Sequence, residues 1–238
     1  MNLQIIATAH NGFFDKFGIP RQSRETSSIE TRIVFEPAFR DENMLRGIEG
    51  YSHLWLIWEF HAVERPAASE GLFRATVRPP RLGGNTRVGV FATRSPFRAN
   101  RLGLSSVELV RVEKTENEGC VLVVRGADLL DGTPIYDIKP YLSYSDSHPD
   151  ARNGFGEETR DYKLKVESLK FKVSAPDGDS LELTGCPLEE IEEILSQDPR
   201  PAYQDDPERI YKLDYAGWNI SFRVEKGTVY VVKIEKNS

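Results

Sequence analysis

The tightest constraint on the fold lies in the first 140 residues, where short apolar runs of strand length succeed one another with almost no helical period between them. LQIIATA opens the chain, SIETRIVF alternates, HLWLIWEF is nearly continuously apolar, and RVGVFAT, LSSVELVRV and CVLVVRGA follow, with TENEG as a hairpin turn between the last two. Only DENMLRGI, behind Asp41 as an N-cap, suggests a turn or two of helix. Many closely spaced strands and few helices predict an antiparallel β-barrel or sandwich, not a wound α/β sheet.

The character changes after PYLSYSDSHPDARNGFGEE, a polar stretch rich in Ser, Gly and Pro. Beyond it DYKLKVESLKFKVSA alternates as a strand, and CPLEEIEEILSQ has helical spacing with Pro187 at a tolerated early position. WNISFRVEKGTVYVVKIEK forms a hairpin around Lys226-Gly227. The chain is therefore expected to be mainly β, with a barrel domain over 1–145, a linker over 146–160 and a small α+β domain over 161–238.

Charge is distributed unevenly. The whole chain carries a formal −6, yet residues 71 to 107 hold seven arginines, no lysine and no acid, leaving 24 basic and 37 acidic residues elsewhere. Such a balance argues against unselective coating of nucleic acid and permits a local anion site. Within VRPPRLGGNTRVGVFATRSPFRANRLG, Pro79-Pro80 enforces extension, Gly83-Gly84 permits close backbone approach, and the arginines offer rigid forks for phosphate or carboxylate. The competing reading pairs these arginines with acids elsewhere on the surface.

Several chemistries are excluded by what the chain lacks. It contains neither G-x-G-x-x-G nor G-x-x-x-x-G-K-[ST], so any adenosine cofactor is held without a Rossmann turn. No G-x-S-x-G elbow is present. Cys120 and Cys186 lie far apart, and His10, His53, His61 and His148 have no ligand spacing, so no metal is expected. The opening MNLQIIATAH lacks a secretory pattern and no run is long enough to span a bilayer, which predicts a cytoplasmic protein with no membrane partner.

Four segments carry candidate chemistry. PRQ at 20–22 follows GFFDKFGI, in which Phe13, Phe14 and Phe17 are expected to pack while Arg21 and Gln22 suit a polar ligand. HLWLIWEFH reads as a buried strand with Trp55 and Trp58 in a core or interface, and His61 at its end faces a ligand or solvent. In DLLDGTPIYDIKPYL a strand would place Asp137, Lys139 and Tyr141 on one face, either as an acid/base constellation or as an ordinary solvated face. QDPRPAY sets Arg200 between two prolines, with Tyr203 able to stack on a base, although termination of the preceding helix explains it equally well.

Taken in order, PRQ, RGIEGYSHLWLIWEFH, RPPRLGG, RVGVFATRSPFR, SVELVRV, DLLDGTPIYDIKPY and QDPRPAY resemble the TsaA/TrmO-type tRNA methyltransferases over nearly the whole chain. The resemblance implies a homodimeric β-barrel enzyme that uses S-adenosyl-L-methionine to methylate N6 of N6-threonylcarbamoyladenosine at position 37 of tRNA. It assigns the cofactor to Pro20, Arg21, Gln22, His61, Ala62, Arg94, Leu104, Leu129, Leu130, Asp131 and Gly132, and the RNA to Arg98, Arg200 and Tyr203. Asp137 is expected to accept the proton, with Lys139 and Tyr141 orienting the substrate carboxylate. Two departures stand out: Phe97-Arg98-Ala99-Asn100-Arg101-Leu102-Gly103 where FRPNPIG is common, and His61-Ala62 where His-Gln is common. The alternatives are a catalytically silent RNA-binding or S-adenosylmethionine-sensing module of the same fold, or an enzyme acting on a phosphorylated small molecule.

Overall fold

A computed structural model describes residues 3–23, 28–63, 73–79, 82–159, 164–166, 183, 185–200, 204 and 206–237. Along the chain β1 (Ala7–His10), β2 (Glu30–Phe35) and β3 (His53–Glu59) precede a two-strand ribbon of β4 (Thr76–Val77) and β5 (Val88–Gly89). Then come β6 (Leu102–Thr115), β7 (Gly119–Arg125) and β8 (Thr133–Pro140). Six of these strands close an antiparallel barrel in the order β1-β2-β7-β6-β3-β8, the fold class that the strand-rich sequence predicts.

Two-residue alternation explains which side chains fill the barrel. On β3, Leu54, Leu56 and Trp58 are buried inside, while Trp55 and Ile57 lie on the outer face. Ala7 and Ala9 on β1 leave room for bulky Ile33, Phe35, Leu122, Leu129 and Ile135, all in the same core. Gly103 is needed for the Trp58 ring, because a Cβ there would stand 2.2 Å from it. Each large apolar side chain removed from water contributes about 1.5 to 3 kcal/mol before entropy is counted. Outside, Arg111 bonds Glu30 and Glu113 at 2.8 and 2.7 Å, Arg125 bonds Glu30 at 2.7 Å, and Arg32 bonds Glu118 at 2.6 Å. The hydrogen bond from Arg111 is the main reason the Glu30 carboxyl lies below its ordinary range.

RVGVFAT departs from the strand expected there. Only Val88–Gly89 pairs, with Thr76–Val77, after which a 3-10 turn over Val90–Ala92 takes over. Its apolar content misleads because Phe91 is 81% exposed; Val90 alone is buried in that turn. Asp41 does cap DENMLRGI, its carboxylate accepting from Asn43 N at 2.9 Å, but the turn is 3-10.

After a short helix α1 (Ser143–Asp146), β9 (Lys165–Val166) and helix α2 (Leu188–Ser196) precede β10 (Tyr211–Tyr215), β11 (Trp218–Glu225) and β12 (Thr228–Lys236). These four strands form a sheet ordered β10-β11-β12-β9, and α2 buries Ile191, Ile194 and Leu195 at helical spacing. The expected hairpin turns at Lys226 and Gly227, both at positive φ. Most of DYKLKVESLKFKVSA lies outside the described residues.

The second core includes residues from the start of the chain. Phe13 is fully buried among Tyr215, Trp218 and Phe222, with Phe17 and Ile19 packed against the same cluster, whereas Phe14 is exposed. The loop between β1 and β2 is thus a plug seated in the second sheet. No helix among the described residues is long and apolar enough to cross a membrane.

Candidate active site

The plug fixes the first wall of a cavity at the barrel mouth. With Phe13, Phe17 and Ile19 anchored, Pro20, Arg21 and Gln22 emerge at its edge. Arg21 is held from beyond by the carbonyls of Asp198 at 3.1 Å and Arg200 at 2.5 Å. Asn11 ties the root of the loop to the segment before β8: its amide donates to the Leu129 carbonyl at 2.9 Å and its backbone N–H to Asp131 Oδ1 at 3.0 Å.

The second wall is the end of β3 facing the start of β6. Trp58 pairs with Gly103 and Glu59 with Leu102, after which Phe60–Val63 turn away. Arg101 secures that turn by bonding Glu59 at 2.8 Å and the Val63 carbonyl at 3.1 Å, while its own carbonyl accepts from Phe60 N at 3.0 Å. Its φ of +42° is one a proline ring cannot adopt, so Arg101 gives this chain a loop that FRPNPIG could not follow. Glu59 also accepts from Tyr136 at 2.5 Å, and that bond pushes the phenol up to about 12.

The enclosed volume is about 470 Å³, within the range of small-molecule sites. Ile19, Trp58, Leu102 and Leu130 make its surface largely apolar, and Arg21, Arg94, Arg98, Glu59 and Asp128 charge its margins. A polar relay crosses the floor: Trp58 Nε1 donates to Ser105 Oγ at 2.9 Å, and Ser105 donates to Asp128 at 2.5 Å. His61 Nδ1 lies 3.4 Å from Thr133 Oγ1. Among the described residues no group of His, Cys, Asp and Glu could hold a metal ion.

Of the cofactor residues expected from sequence, Pro20, Arg21, Gln22, His61, Ala62, Arg94, Leu104 and Leu130 line this one cavity. Leu129 is instead fully buried in the barrel core; Asp131 holds the Asn11 N–H; Gly132 N–H bonds the Ala9 carbonyl at 2.9 Å with φ at +75°. Arg98 also lines the cavity, donating to the Thr93 carbonyl at 3.0 Å. Arg200 is 7% exposed and bonds both oxygens of Asp198, at 2.8 and 3.0 Å. Tyr203 lies outside the described residues.

Asp137, Lys139 and Tyr141 sit together, but not in the cavity lining. Asp137 pairs across strands with Ile57 and Lys139 with Trp55, and Lys139 Nζ is 2.9 Å from Asp137 Oδ2. Tyr141 packs on Trp55, ring centres 5.5 Å apart. Trp55 itself reaches the cavity, and its Nε1 donates to Asp146 at 2.9 Å. Sequence reasoning missed Trp55, Glu59 and Asp128 as lining residues. Asp128 heads the DLLDG run already singled out, whereas Trp55 and Trp58 separate only once the strand's inner face is known.

The family model of the tRNA-methyltransferase O N-terminal domain matches residues 8–147, and the model of the TrmO C-terminal domain matches residues 178–237. A tRNA (adenine(37)-N6)-methyltransferase of Eikenella corrodens is 46% identical over 187 residues, covering 76% of this chain and 95% of the relative. RcsF of Pseudomonas aeruginosa, provisionally named an S-adenosylmethionine-dependent methyltransferase, is 41% identical over 200 residues, covering 84% and 82%. The crystal structure of TrmO from Pseudomonas aeruginosa superposes with a TM-score of 0.75 at 29% identity, covering 99% of this chain and 98% of that one.

Proposed function

Because the chain belongs to the tRNA-methyltransferase O family, we propose that it transfers a methyl group from S-adenosylmethionine to N6 of adenine 37 in tRNA, the adenine carrying an N6-threonylcarbamoyl group. The observation that carries this reading is that eight of the eleven expected cofactor residues meet in the cavity at the barrel mouth. Its lining suits the cofactor. Ile19, Trp58, Leu102 and Leu130 accept an adenine ring, Arg21 and Arg94 a carboxylate, and Asp128 an ammonium group. Leu129, Asp131 and Gly132 shape the site from behind through the contacts already described. Bound there, S-adenosylmethionine supplies an electrophilic methyl group on a sulfonium.

The chain must then deal with the nucleophile. The N6 nitrogen of a threonylcarbamoylated adenine is conjugated with both the urea carbonyl and the purine, so its proton has to leave as the new bond forms. Asp137 is assigned as acceptor, and Lys139 and Tyr141 orient the threonyl carboxylate. Both members of the Asp137–Lys139 pair are exposed, at 47% and 62%, so the pair contributes little to stability and can open for substrate. Asp137 and Leu104 flank Ile57 on opposite neighbouring strands, about 10 Å apart at strand spacing. The three residues therefore act at the rim, where RNA enters. A homodimer built on this outer face, where Leu104 is 55% exposed beside Ile57, would bring a second copy up to the edge of the rim and leave the mouth open to RNA.

The test is methylation of two tRNA preparations, with and without the threonylcarbamoyl group, followed by nucleoside mass spectrometry. Methyl transfer only to the modified tRNA is expected. Equal transfer to both would remove the threonylcarbamoyl requirement, and cofactor binding without transfer to either would leave a silent sensing module. Light scattering on the same sample is expected to give twice the chain mass, and a monomer would remove the dimer.

A further inference from the structure

A second and larger groove, about 1110 Å³, lies beside the first and shares Arg21, Gln22, Thr93, Arg94 and Pro96 with it. Arg94 Nη1 donates to Gln22 Oε1 at 2.6 Å across this common wall. Arg74, Arg78 and Arg87 line the far side, and among the described residues no Asp, Glu or Lys lines the groove. Among the described residues none of Arg74, Arg78, Arg87 or Arg94 meets a carboxylate, although the chain as a whole carries six more acids than bases.

The placement of these arginines gathers like charge along one groove, which suits an anionic ligand. Val77 pairs with Val88 in the antiparallel ribbon, which puts Arg78 and Arg87 opposite each other at its end. Like charges in that arrangement repel. Among the described residues the pair has one hydroxyl partner: Arg87 donates to Thr76 Oγ1 at 3.0 Å. Next to them the Arg74 guanidinium lies over the Phe97 ring, 4.7 Å from its centre, and half-exposed Phe73 and partly buried Phe155 add aromatic surface to the lining. Flat surfaces for bases beside unpaired guanidinium groups are the combination that holds single-stranded nucleic acid.

We propose that this groove holds the unpaired nucleotides flanking the target adenine, with backbone phosphates on Arg78 and Arg87 and a base stacked on the Phe97–Arg74 pair. The inference rests on the tRNA-methylating reading and adds to it a track separate from the cofactor cavity. The shared wall of Gln22 and Arg94 is where the target turns from the track toward the methyl donor.

The test uses fluorescein-labelled single-stranded oligouridylate of about eight nucleotides, comparable to the span of one stacking platform, with a duplex of equal length as comparison. The full chain is expected to bind the single strand more tightly than the duplex. Arg78→Ala and Arg87→Ala should each reduce the slope of log affinity against log salt by about 0.7, the value for one phosphate contact on a single strand. Phe97→Leu should weaken binding roughly tenfold with the slope unchanged, and Arg74→Ala checks the same stack if Phe97→Leu fails to fold. Affinity for S-adenosylmethionine should stay at the wild-type value in every folded variant. Wild-type oligouridylate binding by folded variants of an enzyme that still methylates tRNA would overturn the groove and leave the proposed function standing. A protein that binds the oligonucleotide with these slopes yet methylates no tRNA would do the reverse.

Discussion

On the outer barrel wall Arg32, Arg111 and Arg125 each meet a carboxylate at 2.6 to 2.8 Å, whereas Arg74, Arg78, Arg87 and Arg94 beside the barrel mouth meet none among the described residues. The first set sits on strands β2, β6 and β7, whereas the second lies in the exposed segments that flank β4 and β5. The difference is one of supply: acids are plentiful in this chain, so an arginine left without one has been kept open. Pairing spends a guanidinium on register between strands; leaving it unpaired keeps it for an anion that arrives from outside. Arg101 belongs to the basic run by sequence but to the wall by contact, because Glu59 holds it.

Asp137 puts the greatest strain on this contrast, since it is paired and yet assigned to chemistry. Asp137→Asn keeps its size but cannot accept a proton, and single-turnover methylation should fall roughly 100-fold, with cofactor and tRNA affinities nearly constant. A near-normal rate would return Asp137 to the structural class and shift attention to Tyr141.

Arg94 offers the opposite case. Arg94→Ala should cost about 1.5 to 3 kcal/mol of cofactor affinity by calorimetry, the loss of one charged hydrogen-bond donor, while the melting temperature stays within about two degrees. A large drop in melting temperature with unchanged affinity would place Arg94 among the wall residues.

Arg125→Ala is expected to do the reverse. Glu30 keeps Arg111, so stability should fall by only about 1 kcal/mol or less in urea titration, and methylation should be unaffected. The smallest effect concerns pH. Glu30 has its carboxyl lowered from 4.5, so its pairing stabilises the fold above that value and is lost as pH falls through the lowered folded-state value. In Glu30→Gln the urea midpoint at pH 7 should be slightly lower, and its decline below pH 4.5 should be shallower than in the wild type. A parallel decline in both proteins would show that the wall network carries no linkage.

The barrel was legible because strand-length apolar runs are a local signal: the alternation of ETRIVF fixes which face is inward, whereas HLWLIWEF, apolar on both faces, shows a strand without showing which side it buries. RVGVFAT misled because apolar content was taken for a strand, and nothing within those residues reveals that Phe91 stays in solvent. The cavity at the barrel mouth was legible through short motifs, each carrying its own residues there. Asp131 and Leu129 were harder to place, since Asn11, which bonds the Asp131 carboxylate and the Leu129 carbonyl, lies more than 100 positions away. The arginine cluster was visible as composition, but its division into paired and open members depends on which acids come near after folding.

The plug at Phe13, Phe17 and Ile19 has a consequence for how the enzyme comes into being. These side chains are among the earliest made, and Tyr211 to Phe222, which receive them, are among the last. At about 5 to 20 residues per second on the ribosome, the wait is on the order of ten seconds or more. During that interval all six barrel strands have been synthesised and can pair, while Pro20, Arg21 and Gln22 still lack the anchor that sets them at the mouth. Nascent chains stalled before residue 211 should therefore hold a barrel whose mouth still lacks its Pro20–Gln22 edge, an order of assembly set by the distance along the chain between the plug and its socket.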